Sequence, residues 1–200
     1  MPVPSSLFRR SLLLAVAAAP WAALAQEGQV HIEGASFDRR ARVAGSELVL
    51  NGVGVRAVAW FTGYAAGLYL PARVSSPTQA VALEGPKRLQ MRMLYEVPAA
   101  EFVKAFRKGV QRNVPAAELP RLAARMDRFA SLIAGLGKVK KGDVVNLDFE
   151  PGRGTLFVVN GTLRGEPVEG ADFYAGLLRS FIGERPYDEK LKAGLLGHGA

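Results

Sequence analysis

The chain has 200 residues, with 26 lysines and arginines against 18 aspartates and glutamates, and it contains no cysteine. The missing thiols exclude disulfide staples and thiolate chemistry. A formal charge of +8 favours anionic partners, either a membrane surface or an acidic ligand. No zinc-finger spacing or arginine/aromatic RNA motif is present, so nucleic acid is not expected as a partner.

Residues 1–25 read as a secretory signal peptide: Arg9 and Arg10 in the n-region, an apolar run from Leu12 to Ala19, and the small-x-small site Ala23-Leu24-Ala25. The run is too short for a span of about 20 residues and is cut by Pro20. Cleavage is expected after Ala25, releasing a soluble protein into a bacterial periplasm, with the Sec and Tat routes both open. Residues 26–200 are enough for one domain and too few for two. Residues 29–74 read as strands, with a hairpin turn expected at Asn51-Gly52 after "SELVL" and a new strand over "VGVRAVAWF". Gly63 breaks that run and "YAAGLYL" resumes it before Pro71. A short helix follows in "SSPTQAVALEG", with Ser76 as N-cap, Pro77 at its first position, Gln79 closing a capping box and Gly85 ending it.

"KRLQMRMLYEV" alternates Leu89, Met91 and Met93 against Arg88, Gln90 and Arg92, the pattern of a half-buried strand. Two long helices come next. The first aligns Phe102, Phe106 and Val110, with Lys104, Arg107, Lys108 and Arg112 turned largely away. The second repeats Leu119, Leu122, Met126, Phe129, Ile133 and Leu136 at spacings of three and four. A basic turn at Lys138, Lys140 and Lys141 leads into a three-strand meander, reversed at "PGRG" and at Asn160-Gly161. A helix from about Ala171 to Phe181 and a short one in "DEKLKAGLLG" close the chain. This order argues α+β, a mainly antiparallel sheet with helices on one side.

The chemical inventory is thin. His31 and His198 lie near the two ends of the exported chain, and no metal-ligand spacing accompanies them, so neither a metal nor a cofactor is expected. Gly52 and Gly54 lack the third glycine and the following helix of a dinucleotide fingerprint. Asp148 and Glu150 alternate on one strand face and read as a solvated face. Arg56 is the single charge in residues 51–71. Strand alternation puts it on one face with Val58 and Trp60, and Tyr64 follows near the same end of the sheet. Spacing leaves two readings open: an edge arginine paired with a nearby carboxylate, or an anchor for an anionic ligand, for which an arginine and a phenol are well matched donors.

"NGVGVR", "YAAGLYL", "KVKKGDVVNLDFEPGRGTLFVVNG" and "AGLLRSFIGERPYDEKLKAGLLG", in that order, resemble the chalcone isomerase-like family in its exported bacterial branch. The resemblance implies an open-faced β-sandwich with a large antiparallel sheet and a layer of helices. It puts Arg56 on the arginine that, in the plant enzymes, stabilises the phenolate during an intramolecular oxa-Michael cyclisation. A family threonine falls on Tyr64, where fatty-acid-binding relatives carry a tyrosine that holds the ligand carboxylate with the arginine. Ser180 in "RSFIG" matches the Ser/Thr of the late helix. The enzymes' helical-layer tyrosine and asparagine have no counterpart beyond Glu118, which stands near that position, and the loop between Arg56 and Tyr64 is shorter than theirs. The resemblance therefore implies a small amphipathic acid as ligand, a fatty acid for instance. Arg56 and Tyr64 would hold its head, and Trp60, Phe61, Leu68, Phe102 and Phe106 would surround its tail. The alternative is an intramolecular lyase acting on an enone-phenol, with Arg56 as its catalytic residue. A third reading is contact of Lys104, Lys108 and Arg112 with an anionic membrane surface. The oligomeric state is left open.

Overall fold

The computed structural model describes residues 28–58 and 61–198. The expected signal peptide and Trp60 lie outside the described residues, as does the side chain of Phe61. The described residues open with two hairpins, each reversed by a pair of residues at positive φ, as tight two-residue turns require. Glu33 and Gly34 (φ 48° and 78°) join β1 (Gln29–Ile32) to β2 (Ala35–Asp38). Ala44 and Gly45 (φ 50° and 78°) join β3 (Arg40–Val43) to β4 (Ser46–Val58). Asn160-Gly161 turns as expected, at φ 51° and 78°.

The turn expected at Asn51-Gly52 is not there. β4 runs straight through it, with only a register slip between Leu50 and Gly52. The chain reverses later, between Val58 and Phe61, which pair across β4 and β5 (Phe61–Leu70). Asn51 is buried and bonded away from any turn: its Nδ2 donates to the Leu195 carbonyl at 2.8 Å, and its Oδ1 accepts from the Val74 amide at 2.8 Å. A local turn signal lost to a tertiary one.

The rest of the chain supplies α1 (Pro77–Ala82), β6 (Lys87–Met93), β7 (Val97–Pro98), α2 (Ala99–Asn113), α3 (Leu119–Ala134), β8 (Lys138–Val139), β9 (Val144–Glu150), β10 (Gly154–Val159), β11 (Thr162–Leu163), α4 (Ala171–Ile182) and α5 (Glu189–Leu195). Seven strands form one antiparallel sheet in the order β11-β10-β9-β6-β5-β4-β3. One face buries Leu68, Leu89, Met91, Leu147 and Phe157 against Phe106, Phe129 and Phe173 of α2, α3 and α4. The expected α+β architecture, an antiparallel sheet layered with helices, is the one observed.

The other face differs from expectation. Phe37 of the β1–β2 hairpin packs there on Leu48, Leu50 and Tyr69. Asp148 is buried, not solvated, and accepts two hydrogen bonds from Arg88 at 2.7 and 2.6 Å. Beside it Gln90 donates to Asn146 at 3.0 Å. The sheet curls until β3 approaches β9, which withdraws these polar side chains from water and makes pairing obligatory.

α5 lies on β4 almost backbone to backbone. A Cβ at Gly52 would fall 2.2 Å from the Gly194 carbonyl oxygen, and one at Gly54 would fall 2.8 Å from that of Leu191. These glycines are the Gly-x-Gly that fails as a dinucleotide motif, and their role is this close approach. Gly54→Ala should lift α5 and cost about 1–3 kcal/mol in urea unfolding; an unchanged midpoint would show the contact to be slack.

Burial pushes the Tyr69 hydroxyl up to about 12 from its ordinary 10.0, with a further rise from Asp38. Burial raises Tyr64 and Tyr174 in the same direction. A phenol harder to ionise in the folded state contributes full stability below pH 10, and that contribution is lost as the pH climbs toward 12. Urea midpoints should therefore fall between pH 9 and pH 11. Tyr69→Phe should make the fall shallower, removing about 2–3 kcal/mol of it at the alkaline limit.

Candidate functional site

Arg56 and Tyr64 are directly opposed partners of the β4–β5 ladder, so both side chains leave the sheet on the same face. That face is the helical one. Both border a cavity of about 490 Å³ between the sheet and the helical layer. Met91, Val145, Leu147 and Phe157 line it from the sheet, and Phe102, Phe106, Phe129 and Leu177 from the helices. The apolar part is built of interlocked rings: Phe106 and Phe129 meet edge-on at 5.1 Å, and Phe129 and Phe157 at 5.6 Å. Aromatic contacts of this kind hold a wall in shape as well as keeping it dry.

The polar lining comes from distant points in the sequence and includes Arg56, Tyr64, Ser180, Tyr187 and Asp188. Among the described residues the Arg56 guanidinium makes no ion pair and no hydrogen bond. It lies over the ring of Tyr187, 4.8 Å from the centroid, and Arg112 lies 5.6 Å from the same ring. Stacking on a π face holds a guanidinium while leaving its N–H edge free to donate. The Tyr64 ring sits 6.1 Å from that of Phe102. Burial, above all, pushes the Tyr64 hydroxyl up to about 12; Arg56 opposes the shift and Asp188 adds to it. The phenol therefore stays protonated at neutral pH and has a proton to donate.

Ser180 of α4 is buried, and its hydroxyl donates to the Leu177 carbonyl at 2.6 Å. Asp188 is the N-cap of α5, its Oδ1 accepting from the amides of Lys190 and Leu191 at 2.9 and 3.0 Å. Lys104 and Lys108 are exposed, in line with their expected outward orientation, and they also border the cavity. Glu96 borders it as well and is paired with Lys138 at 3.0 Å.

Of the residues singled out in the sequence, Arg56, Tyr64, Ser180, Phe102 and Phe106 come together here. Leu68 is buried in the core and does not line the cavity. Glu118 pairs with Arg121 at 3.2 Å in a 3-10 turn (Ala116–Glu118), away from the cavity wall. His31 and His198 are exposed, and among the described residues no group of three or more His, Cys, Asp or Glu could hold a metal ion. No described helix is long and apolar enough to cross a membrane. Tyr187 and Asp188 escaped the sequence reading. The Asp-Glu-Lys start of the last helix carried a capping signal for Asp188, but nothing local tied it to Arg56.

Residues 29–197 match a family model described as chalcone isomerase-like. No curated protein matches the chain. Among solved structures it is similar to the crystal structure of the Arabidopsis thaliana fatty-acid binding protein AtFAP1, at 16% sequence identity and a TM-score of 0.66, over 84% of this chain and 95% of that one. At that identity the likeness speaks for the fold.

Proposed function

The chain belongs to the chalcone isomerase-like family, and from that premise we propose that it binds a small amphipathic acid, a fatty acid being the simplest, in the cavity headed by Arg56 and Tyr64. The observation that carries this reading is a guanidinium without an acidic partner among the described residues, set beside a protonated phenol where an apolar cavity turns polar. About 490 Å³ falls within the range of small-molecule pockets. Each methylene buried contributes roughly 0.8 kcal/mol, and a carboxylate against Arg56 adds a charge-assisted hydrogen bond in low dielectric. A similarly folded protein that is itself a fatty-acid binding protein adds support.

A second reading keeps the site and changes the task. Two fixed donors beside an apolar cavity are also what an oxyanion forming during oxa-Michael closure of an enone-phenol requires. Arg56 would then be catalytic, and Tyr64, held protonated, would assist as a second donor. Incubation with a 2′-hydroxychalcone separates the two: closure giving one enantiomer of the flavanone, lost in Arg56→Ala, supports the lyase, whereas a racemic background rate removes it. We place the protein in the periplasm on its N-terminal segment; N-terminal sequencing of the exported form should begin at Gln26.

For the binding reading, displacement of a fluorescent fatty acid by tetradecanoate should weaken about 10- to 100-fold in Arg56→Ala, as expected for loss of a hydrogen bond to a charged group. Tyr64→Phe should weaken it by about fivefold. Wild-type affinity in a folded Arg56→Ala variant, verified by circular dichroism, would overturn the assignment.

A further inference from the structure

The polar groups at the head of the cavity divide into donors and acceptors. Arg56 and the protonated Tyr64 donate. Ser180 has its hydroxyl hydrogen engaged by the Leu177 carbonyl, so toward the cavity it offers only lone pairs. Asp188 uses Oδ1 for the two amides of α5, and its Oδ2 has no partner among the described residues. Arg56, Tyr64 and Asp188 line the same cavity, Tyr64 feels the two charges with opposite sign, and no ion pair joins them among the described residues.

A plain carboxylate only accepts. It would satisfy Arg56 and Tyr64, leave Ser180 and Asp188 Oδ2 unmet in a partly desolvated space, and bring a like charge toward Asp188. A head that accepts on one side and donates on the other suits the whole set. An ammonium fits less well than a neutral donor, because Asp188 already accepts from the first amides of α5; the cations Lys104 and Lys108 bordering the cavity are matched in number by Glu96 and Glu101.

We infer that the ligand is a hydroxylated amphipathic acid, its carboxylate on Arg56 and Tyr64 and a hydroxyl on a nearby carbon donating to Asp188, with Ser180 as a second acceptor. This rests on the binding reading above and specifies the head group it selects.

The test is calorimetric titration of the full exported protein with 3-hydroxytetradecanoate and with tetradecanoate, in wild type, Asp188→Asn and Arg56→Ala. Asparagine keeps the helix cap and removes the charge. Wild type should bind the hydroxy acid about tenfold more tightly, one hydrogen bond to a charged group. Asp188→Asn should bind the plain acid several-fold better and shrink the preference below about threefold. Equal wild-type affinities, with both acids lost in Arg56→Ala, would overturn the hydroxyl assignment and leave acid binding standing. A preference that Asp188→Asn leaves intact would also overturn it. No binding of either acid to wild type would overturn both.

Discussion

At Gly52, Gly54 and Gly194 no side chain stands between α5 and β4, and the helix rests on the strand at backbone distance. The site depends on this contact. Asp188 caps α5 and Tyr187 precedes it, so seating the helix brings an aromatic face under Arg56 and a carboxylate to the cavity that Tyr64 lines. The buried Asn51 side chain ties the same strand to the carbonyl of Leu195. A larger residue at any of the three glycines would have to move a helix before it disturbed a core, and it would move half of the polar head with it.

The choice of partner for Arg56 matters electrostatically. A carboxylate salt-bridged to it would neutralise the cavity and occupy the N–H edge that a ligand needs. An aromatic ring steadies the guanidinium through its face and leaves the charge uncompensated in the plane. Arg88 is paired with Asp148 and Arg125 with Asp172, whereas Arg56, like Arg92 over the Phe37 ring at 5.5 Å, is set against an aromatic face with no acidic partner among the described residues.

Much of the fold was legible because it rests on period and turn chemistry. The alternation of β6, the stripe of α3 and the Asn160-Gly161 turn all follow from local rules, and the order of elements led to the layered sheet. The failures share one cause, distant partners. Asn51-Gly52 carries the residues of a turn, yet its amide is claimed by Val74 and Leu195. Asp148 alternates like a surface residue, but curling of the sheet buries it opposite Arg88. In the site, the importance of Arg56 came from family resemblance, since spacing alone favoured an edge arginine paired with a nearby carboxylate. Tyr187 and Asp188 lie about 130 positions further along, and only the seating of α5 joins them to it.

An open sheet of seven strands leaves two rims with unpaired backbone, an invitation to strand addition by a neighbouring molecule. Here one rim is β11, only Thr162 and Leu163 long, and the other is β3, four residues with the exposed cations Arg40 and Arg42 along it. A strand arriving at β11 finds almost nothing to pair with, and one arriving at β3 meets the exposed Arg42 beside the Arg40–Glu47 ion pair. The same sheet that offers an interior for an oily guest is thus blunted at its margins against polymerising with its own kind.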